Sequence, residues 1–253
     1  MQATNNMSSI DAKSLRRDAA LTSLLAMLAL CAAAVALQAT GEPGHWYVLV
    51  TLAVFCGTLL GMAPLLADHL PHRRVGGANR VTLLRLSITA LLAGLVLERV
   101  AVLAWFVVAA ASAAALLDAL DGALARRSGM ASAFGARFDM ETDALLILVL
   151  SLLTWRTGKV GAWVLASGLL RYVFIAACLL WPVLARPLPT SARRKAACAV
   201  QTASLVVCLA PVVPPSAAVT IAAGALAVLT ASFAADVLWL LRDRSACPEE
   251  LLP

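Results

Sequence analysis

The chain has 253 residues, of which 62% are hydrophobic and 13% charged, and its formal net charge is +6. A soluble domain carries about twice that charged fraction, so the composition excludes an ordinary soluble protein. The basic residues are scattered over loops between apolar runs, which excludes a nucleic-acid-binding surface and fits attraction to anionic lipid.

The apolar runs are long enough to cross about 30 Å of hydrocarbon, and they predict an all-α bundle of about eight transmembrane helices. A polar segment, residues 1–18, precedes the first run. The predicted spans cover about 19–37, 46–67, 81–97, 100 to the acidic segment described below, 138–155, 160–182, 196–213 and 217–241. A short charged tail, residues 242–253, follows the last span.

The charges between the spans predict the orientation. If the N-terminus is placed inside and the spans alternate, most of the 20 Lys and Arg residues fall in inside segments. The positive-inside rule therefore predicts that both termini are cytoplasmic. The three histidines, His45, His69 and His72, fall in predicted loops, where solvated surface positions are expected.

The most informative stretch lies between the fourth and fifth spans and is rich in acidic residues. Residues three or four apart share one face of a helix, so a helical hairpin would bring these carboxylates to one level. Unpaired carboxylates next to a membrane repel each other and require cations, and Mg²⁺ or Mn²⁺ suits carboxylate and phosphate ligands together. The residues at fixed spacing are Asp118, Asp121, Gly122, Ala125, Arg126, Gly135, Asp139 and Asp143.

Other polar residues lie inside predicted spans, where ionisable groups are costly and are functional candidates by default. Asn79, Thr82 and Arg85 recur every three residues at the start of the third span. A snorkelling arginine with ordinary capping groups is the alternative interpretation. Arg171 lies midway along the sixth span, and its alternative role is a structural ion pair with a nearby carboxylate.

The spacing D-x2-D-G-x2-A-R-x8-G-x3-D-x3-D resembles the motif of the CDP-alcohol phosphatidyltransferase family, and all eight of its positions are present. The resemblance implies a six-helix core over residues 79–241, preceded by two additional transmembrane helices and a basic loop over 19–78. It implies that one or two ions, Mg²⁺ or Mn²⁺, are held by Asp118, Asp121, Asp139 and Asp143. It also implies that Asp143 acts as the catalytic base.

The resemblance further implies which residues contact the substrates. Nucleotide or phosphate binding falls to Gly122, Ala125, Arg126, Gly135, Asn79 and Thr82. Arg171 and Lys195 are assigned to the alcohol acceptor. The sequence departs from the family pattern at Ala78, Ala197 and Cys198, and the last two departures weaken any assignment of glycerol 3-phosphate as the acceptor.

The expected activity is metal-dependent transfer of a phosphatidyl group from CDP-diacylglycerol to an alcohol, with release of CMP, in phospholipid biosynthesis. The expected location is a bacterial inner membrane, with the site on the cytoplasmic side. Members of the family commonly form homodimers, although this sequence has no dimer signature of its own. The alternative function is a transporter or cation pathway that uses the clustered carboxylates.

Overall fold

The structure is a computed structural model that describes residues 2–70, 72, 74–98, 102–128, 132–181 and 191–242, with side chains over 13–70, 72, 74–98, 102–118, 132–181 and 191–241. All regular structure in this described part is helical. Three short 3-10 helices occupy Ala63–His69, Leu95–Leu97 and Ala162–Val164. The α-helices are α1 (Gln2–Gln38), α2 (Tyr47–Met62), α3 (Gly76–Gly94), α4 (Ala104–Ser128), α5 (Ala133–Arg156), α6 (Leu165–Leu180), α7 (Ala192–Leu209) and α8 (Pro215–Arg242).

The helices are apolar over membrane-spanning lengths. Five helical segments of the described chain are long and apolar enough to cross a membrane: Lys13–Gln38, Tyr47–His69, Gly76–Leu97, Ala162–Leu180 and Pro215–Leu241. A shorter apolar segment, Ala104–Asp118, belongs to α4. The protein is therefore embedded in a membrane through an all-helical bundle. The number of crossings and the side on which the termini lie stay predictions.

Helix α3 lies at the centre of the bundle. It packs against α1, α2, α4 and α5, and 56% of its most apolar window is buried, against 28% or less for the other four spanning segments. A helix surrounded by protein can carry polar groups that lipid would not tolerate. The polar groups buried along α3 are Asn79, Thr82, Arg85 and Thr89.

Helices α4 and α5, which carry the acids, share two neighbouring helices. Each packs on α3 and on α7, whereas direct contact between α4 and α5 is slight over the described residues. Helix α3 contacts both α4 and α5, and its Arg85 side chain reaches the carboxylates of both helices.

The connections into α3 and α5 also differ from the predicted boundaries. Helix α5 begins at Ala133, and the Ser132 hydroxyl caps it by accepting a hydrogen bond of 3.1 Å from the Gly135 N–H. Helix α3 begins at Gly76, whose φ of +80° is a left-handed conformation that favours glycine. Both helices therefore begin five residues before the predicted membrane spans, which start at about residues 81 and 138.

Glycine permits a close contact between the backbones of α5 and α6. A β-carbon at Gly168 would lie 2.5 Å from the Cα of Leu148, and backbone cannot yield as a side-chain end can. By contrast, a β-carbon at Gly224 in α8 would meet no atom within 4 Å. Gly168 and Gly224 can therefore serve as test position and control position for the same substitution.

Gly168→Ala should destabilise the protein by about 1–3 kcal/mol, because α5 and α6 must separate. Gly224→Ala should leave stability unchanged or raise it by up to about 1 kcal/mol, because alanine is the better helix former. Thermal unfolding of the two variants in detergent checks the difference. Equal stabilities would contradict the close α5–α6 contact.

Candidate metal and nucleotide site

Three carboxylates from two helices converge at one place in the bundle. Asp118 comes from α4, and Asp139 and Asp143 come from successive turns of α5. One oxygen from each lies within 4.8 Å of the others. Their side chains are 44%, 41% and 32% exposed, respectively, so the cluster is open to a ligand. The spacing of four residues on α5 places Asp139 and Asp143 on one face.

A buried arginine from α3 joins the three carboxylates. Arg85 is 1% exposed, and its Nη1 lies 3.0 Å from Asp118 Oδ1 and 2.6 Å from Asp139 Oδ1. Its Nη2 donates a hydrogen bond to Asp143 Oδ1. Arg85 therefore does not snorkel, and that alternative interpretation is wrong. The regular spacing of Asn79, Thr82 and Arg85 was a signal for this residue, yet it was not among the predicted site residues.

The oxygen atoms present suit a hard divalent cation. Mg²⁺ and Mn²⁺ prefer carboxylate ligands, and an ion that binds a nucleotide keeps positions for phosphate oxygens. Carboxylates that lie this close repel each other, and the guanidinium compensates their charge from one side only. The exposed side of Asp118, Asp139 and Asp143 can therefore accept a metal ion together with an anionic substrate.

Asn79 and Gly135 meet at the contact between α3 and α5, and Thr82 lies three residues after Asn79 on α3. The Asn79 Nδ2 donates a hydrogen bond of 2.7 Å to the Val75 carbonyl. A β-carbon at Gly135 would lie 2.7 Å from Asn79 Oδ1, so glycine at this position leaves room for the asparagine side chain. Asn79 is 6% exposed and Thr82 2%. The close approach of Asn79 and Gly135 sets the distance between α3 and α5 just before the level of the acids.

Arg171 pairs with a carboxylate on α5. Its guanidinium binds Glu141 through Nη2–Oε1, and its Nε lies 3.5 Å from Oε2. Glu141 lies on α5 two residues from both Asp139 and Asp143, which places it off the face that those two aspartates share. Lys195 is exposed in the first turn of α7.

Helix α7 brings further polar groups towards this region. Cys198 lies within electrostatic range of Asp118 and Asp143. One turn further along, Gln201 is fully buried, and neither polar atom of its amide has a hydrogen-bond partner in the described part of the chain. At the start of α7, Arg193 Nη2 lies 2.5 Å from Asp236 Oδ1 of α8.

Four predicted site residues cannot be placed. The side chains of Asp121, Gly122, Ala125 and Arg126 lie outside the described residues, although the backbone of α4 continues as helix through them to Ser128. Their assignments stay predictions.

The fold and the cluster define a class, a membrane-embedded helical bundle with a carboxylate site among its helices. Within that class, the sequence model of the CDP-alcohol phosphatidyltransferase family matches residues 75–233, more than half of the chain. The protein therefore belongs to the CDP-alcohol phosphatidyltransferase family, whose members are transferases. No curated protein and no solved structure matches the chain significantly.

Removal of the Arg85 side chain should destabilise the protein more in the absence of a metal ion than in its presence. Arg85→Met leaves three neighbouring carboxylates without their shared cation, at a cost of about 2–3 kcal/mol. Because a metal ion can replace that charge, Mn²⁺ should raise the unfolding temperature of Arg85→Met more than that of the unmodified protein.

The matched control is Arg80→Gln, five residues earlier on α3. Arg80 is 54% exposed and lies 3.6 Å from Asp18, so its loss should change stability by less than about 1 kcal/mol. Thermal unfolding with and without Mn²⁺ checks both variants. A loss of stability no larger for Arg85→Met than for Arg80→Gln would show that the cluster does not depend on Arg85.

Proposed function

We propose that the protein transfers a phosphatidyl group from CDP-diacylglycerol to an alcohol acceptor and releases CMP, with Mg²⁺ or Mn²⁺ at the aspartate cluster. The observation that carries the proposal is the convergence of Asp118, Asp139 and Asp143 within 4.8 Å in a member of this family. Asp118, Asp139 and Asp143 are gathered at one place, which favours one reaction site over an ion path through the membrane depth.

The proposed metal ligands are Asp118, Asp121, Asp139 and Asp143, shared between one or two ions. When bound, the ion neutralises pyrophosphate charge and stabilises the departing CMP. Asn79, Thr82, Gly122, Ala125 and Gly135 are proposed to shape the surface against which the nucleotide lies. Arg126, near the end of α4, is proposed to bind a phosphate by charge and by its forked geometry.

Asp143 is proposed to be the general base. The acceptor hydroxyl gives its proton to the Asp143 carboxylate while its oxygen forms a bond to the β-phosphorus of the donor. The bond between that phosphorus and the bridging oxygen breaks, and CMP leaves with the bridging oxygen. An aspartate held by a guanidinium is a weaker base, so the proposal requires Arg85 to release Asp143 before the transfer.

The acceptor is proposed to bind next to α6 and the start of α7. Arg171, which forms an ion pair with Glu141, and the exposed Lys195 are proposed to bind its anionic or polar headgroup. We propose that this side of the bundle faces the cytoplasm of a bacterium, where the nucleotide is soluble, while the lipid donor enters from the inner membrane.

Asp143→Asn should lower CMP release from CDP-diacylglycerol by about a hundredfold or more, because the amide cannot accept the proton. Purified protein in detergent with Mn²⁺ and a panel of alcohols provides the assay. Asp68→Asn, at an exposed position, is the matched control and should keep full activity. Full turnover by Asp143→Asn would remove the base assignment.

Arg171→Lys should raise the KM for the acceptor by about tenfold and leave the KM for CDP-diacylglycerol unchanged, because lysine cannot reproduce the forked contact. The same exchange at the exposed Arg156, at the end of α5, should change neither constant. Equal effects on both substrates would instead assign Arg171 to the structure of α5 and α6.

A further inference from the structure

The residues before the family match form contacts with both helices that carry the site. We call α1, α2 and the 3-10 helix Ala63–His69 the N-terminal unit; it ends before residue 75, where the family match begins. Two of its polar side chains, Asp18 and His69, bind backbone or capping groups at the starts of α3 and α5.

His69 connects the starts of the two site helices. It is fully buried, so the expectation of a solvated loop histidine is wrong. Its Nε2 lies 2.9 Å from the carbonyl oxygen of Arg74, which precedes α3. Its Nδ1 lies 2.6 Å from the Ser132 hydroxyl, which caps α5. One imidazole ring therefore spans the distance between the two helix starts.

The hydrogen-bond directions follow from the partners. A carbonyl can only accept, so Nε2 carries the proton, and in the neutral ring Nδ1 is an acceptor. The Ser132 hydroxyl then donates to Nδ1 and accepts from the Gly135 N–H at 3.1 Å. This chain of bonds runs from the first turn of α5 through His69 to the entry of α3, and every group in it has a defined role.

Asp18 of α1 holds the neighbouring backbone group. Its Oδ2 accepts a hydrogen bond of 2.8 Å from the Val75 N–H, directly before α3. A carboxylate at a helix start is favourable because it faces the positive end of the helix dipole. The N-terminal unit therefore binds the backbone of two consecutive residues. His69 binds the carbonyl of Arg74, and Asp18 binds the amide of Val75.

An apolar cluster supports the same contact. The cluster consists of side chains from α1, α2, α3 and α5. The ring of Phe134 meets His69 edge to face at 5.8 Å and stacks on Phe138 at 5.9 Å. The fully or nearly fully buried members of the cluster are Leu30, Phe55, Met62, Leu83, Leu86, Ala90, Phe134 and Phe138.

We propose that Asp18 and His69 are positioning residues, through which the N-terminal unit fixes α3 and α5 so that Arg85 and the carboxylates meet. Gly135, which His69 holds through Ser132, is one turn before Asp139 and two turns before Asp143. Asn79 contacts that same turn of α5, one and a half turns before Arg85 on α3. A shift at the helix starts therefore moves the carboxylates relative to Arg85. The consequence for metal binding rests on the proposed function.

The test uses the full chain in detergent and two measurements. Hydrogen–deuterium exchange reports on the helix starts without any metal, and the EPR signal of free Mn²⁺ reports on metal binding without any substrate. His69→Phe keeps a ring but removes both hydrogen bonds. His45→Phe, at an exposed position in the loop between α1 and α2, is the matched control.

For His69→Phe we expect exchange over 74–82 and 132–139 to accelerate by about fivefold, the effect of losing a helix cap, with α8 unchanged. We expect Mn²⁺ to bind about tenfold more weakly, as when a residue that orients a ligand is lost. His45→Phe should change neither measurement.

Two conservative variants separate positioning from general loss of stability. Asn can place a polar atom near the position of Nδ1, and Gln near that of Nε2. His69→Asn should therefore restore protection over 132–139 only, and His69→Gln over 74–82 only. Ser132→Ala, which removes a single hydroxyl, should accelerate exchange over 132–139 and weaken Mn²⁺ binding even where His69→Phe does not fold.

The proposal is overturned by native exchange and native Mn²⁺ affinity in both His69→Phe and Ser132→Ala. It is also overturned by equal acceleration in every helix, or by altered exchange with unchanged Mn²⁺ affinity. If the unmodified protein binds no Mn²⁺, the proposed function fails, and the exchange pattern still decides whether the N-terminal unit holds the two helix starts.

Discussion

The arrangement of the bundle depends on the contact between the Arg85 guanidinium and the carboxylates of Asp118, Asp139 and Asp143. These acids would repel each other without a cation between their helices, and a buried guanidinium would be costly without anions around it. Because α3, α4 and α5 each contribute a charge, the interaction fixes three helices at one level. It also leaves the carboxylates exposed on the side away from Arg85, where a metal ion and a phosphate can reach them.

The meeting of Asp118, Asp139 and Asp143 was predictable because helical spacing puts Asp139 and Asp143 on one face, and the predicted hairpin places Asp118 at the same level. The contact of α3 with both acid-bearing helices was not predictable, since nothing in the local pattern says which helices pack together. Sequence spacing likewise could not show that Asp236 pairs with Arg193, or that His69 is buried, because these contacts join segments 43 and 63 residues apart. Long-range pairing is set by packing, which a single sequence does not encode locally.

The site combines a rigid side and an accessible side. Arg85, Asn79 and Thr82 are buried on the central helix and are supported by the N-terminal unit, whereas the acids and the neighbouring Arg171–Glu141 pair are partly open. This division suits phosphoryl transfer, in which catalysis comes mainly from fixed charge and positioning. It also gives the residues before the family match a physical role, since they hold backbone groups at the point where the central helix begins.

The most direct measurement of the central claim is the anomalous scattering of Mn²⁺ in crystals of the protein grown with Mn²⁺ and a CDP-linked donor. The account predicts a peak about 2.1 Å from carboxylate oxygens of Asp118 and Asp139, with Asp143 no longer bonded to Arg85. A difference map without a peak there, with Arg85 still bound to all three carboxylates and the donor seated elsewhere, would contradict it.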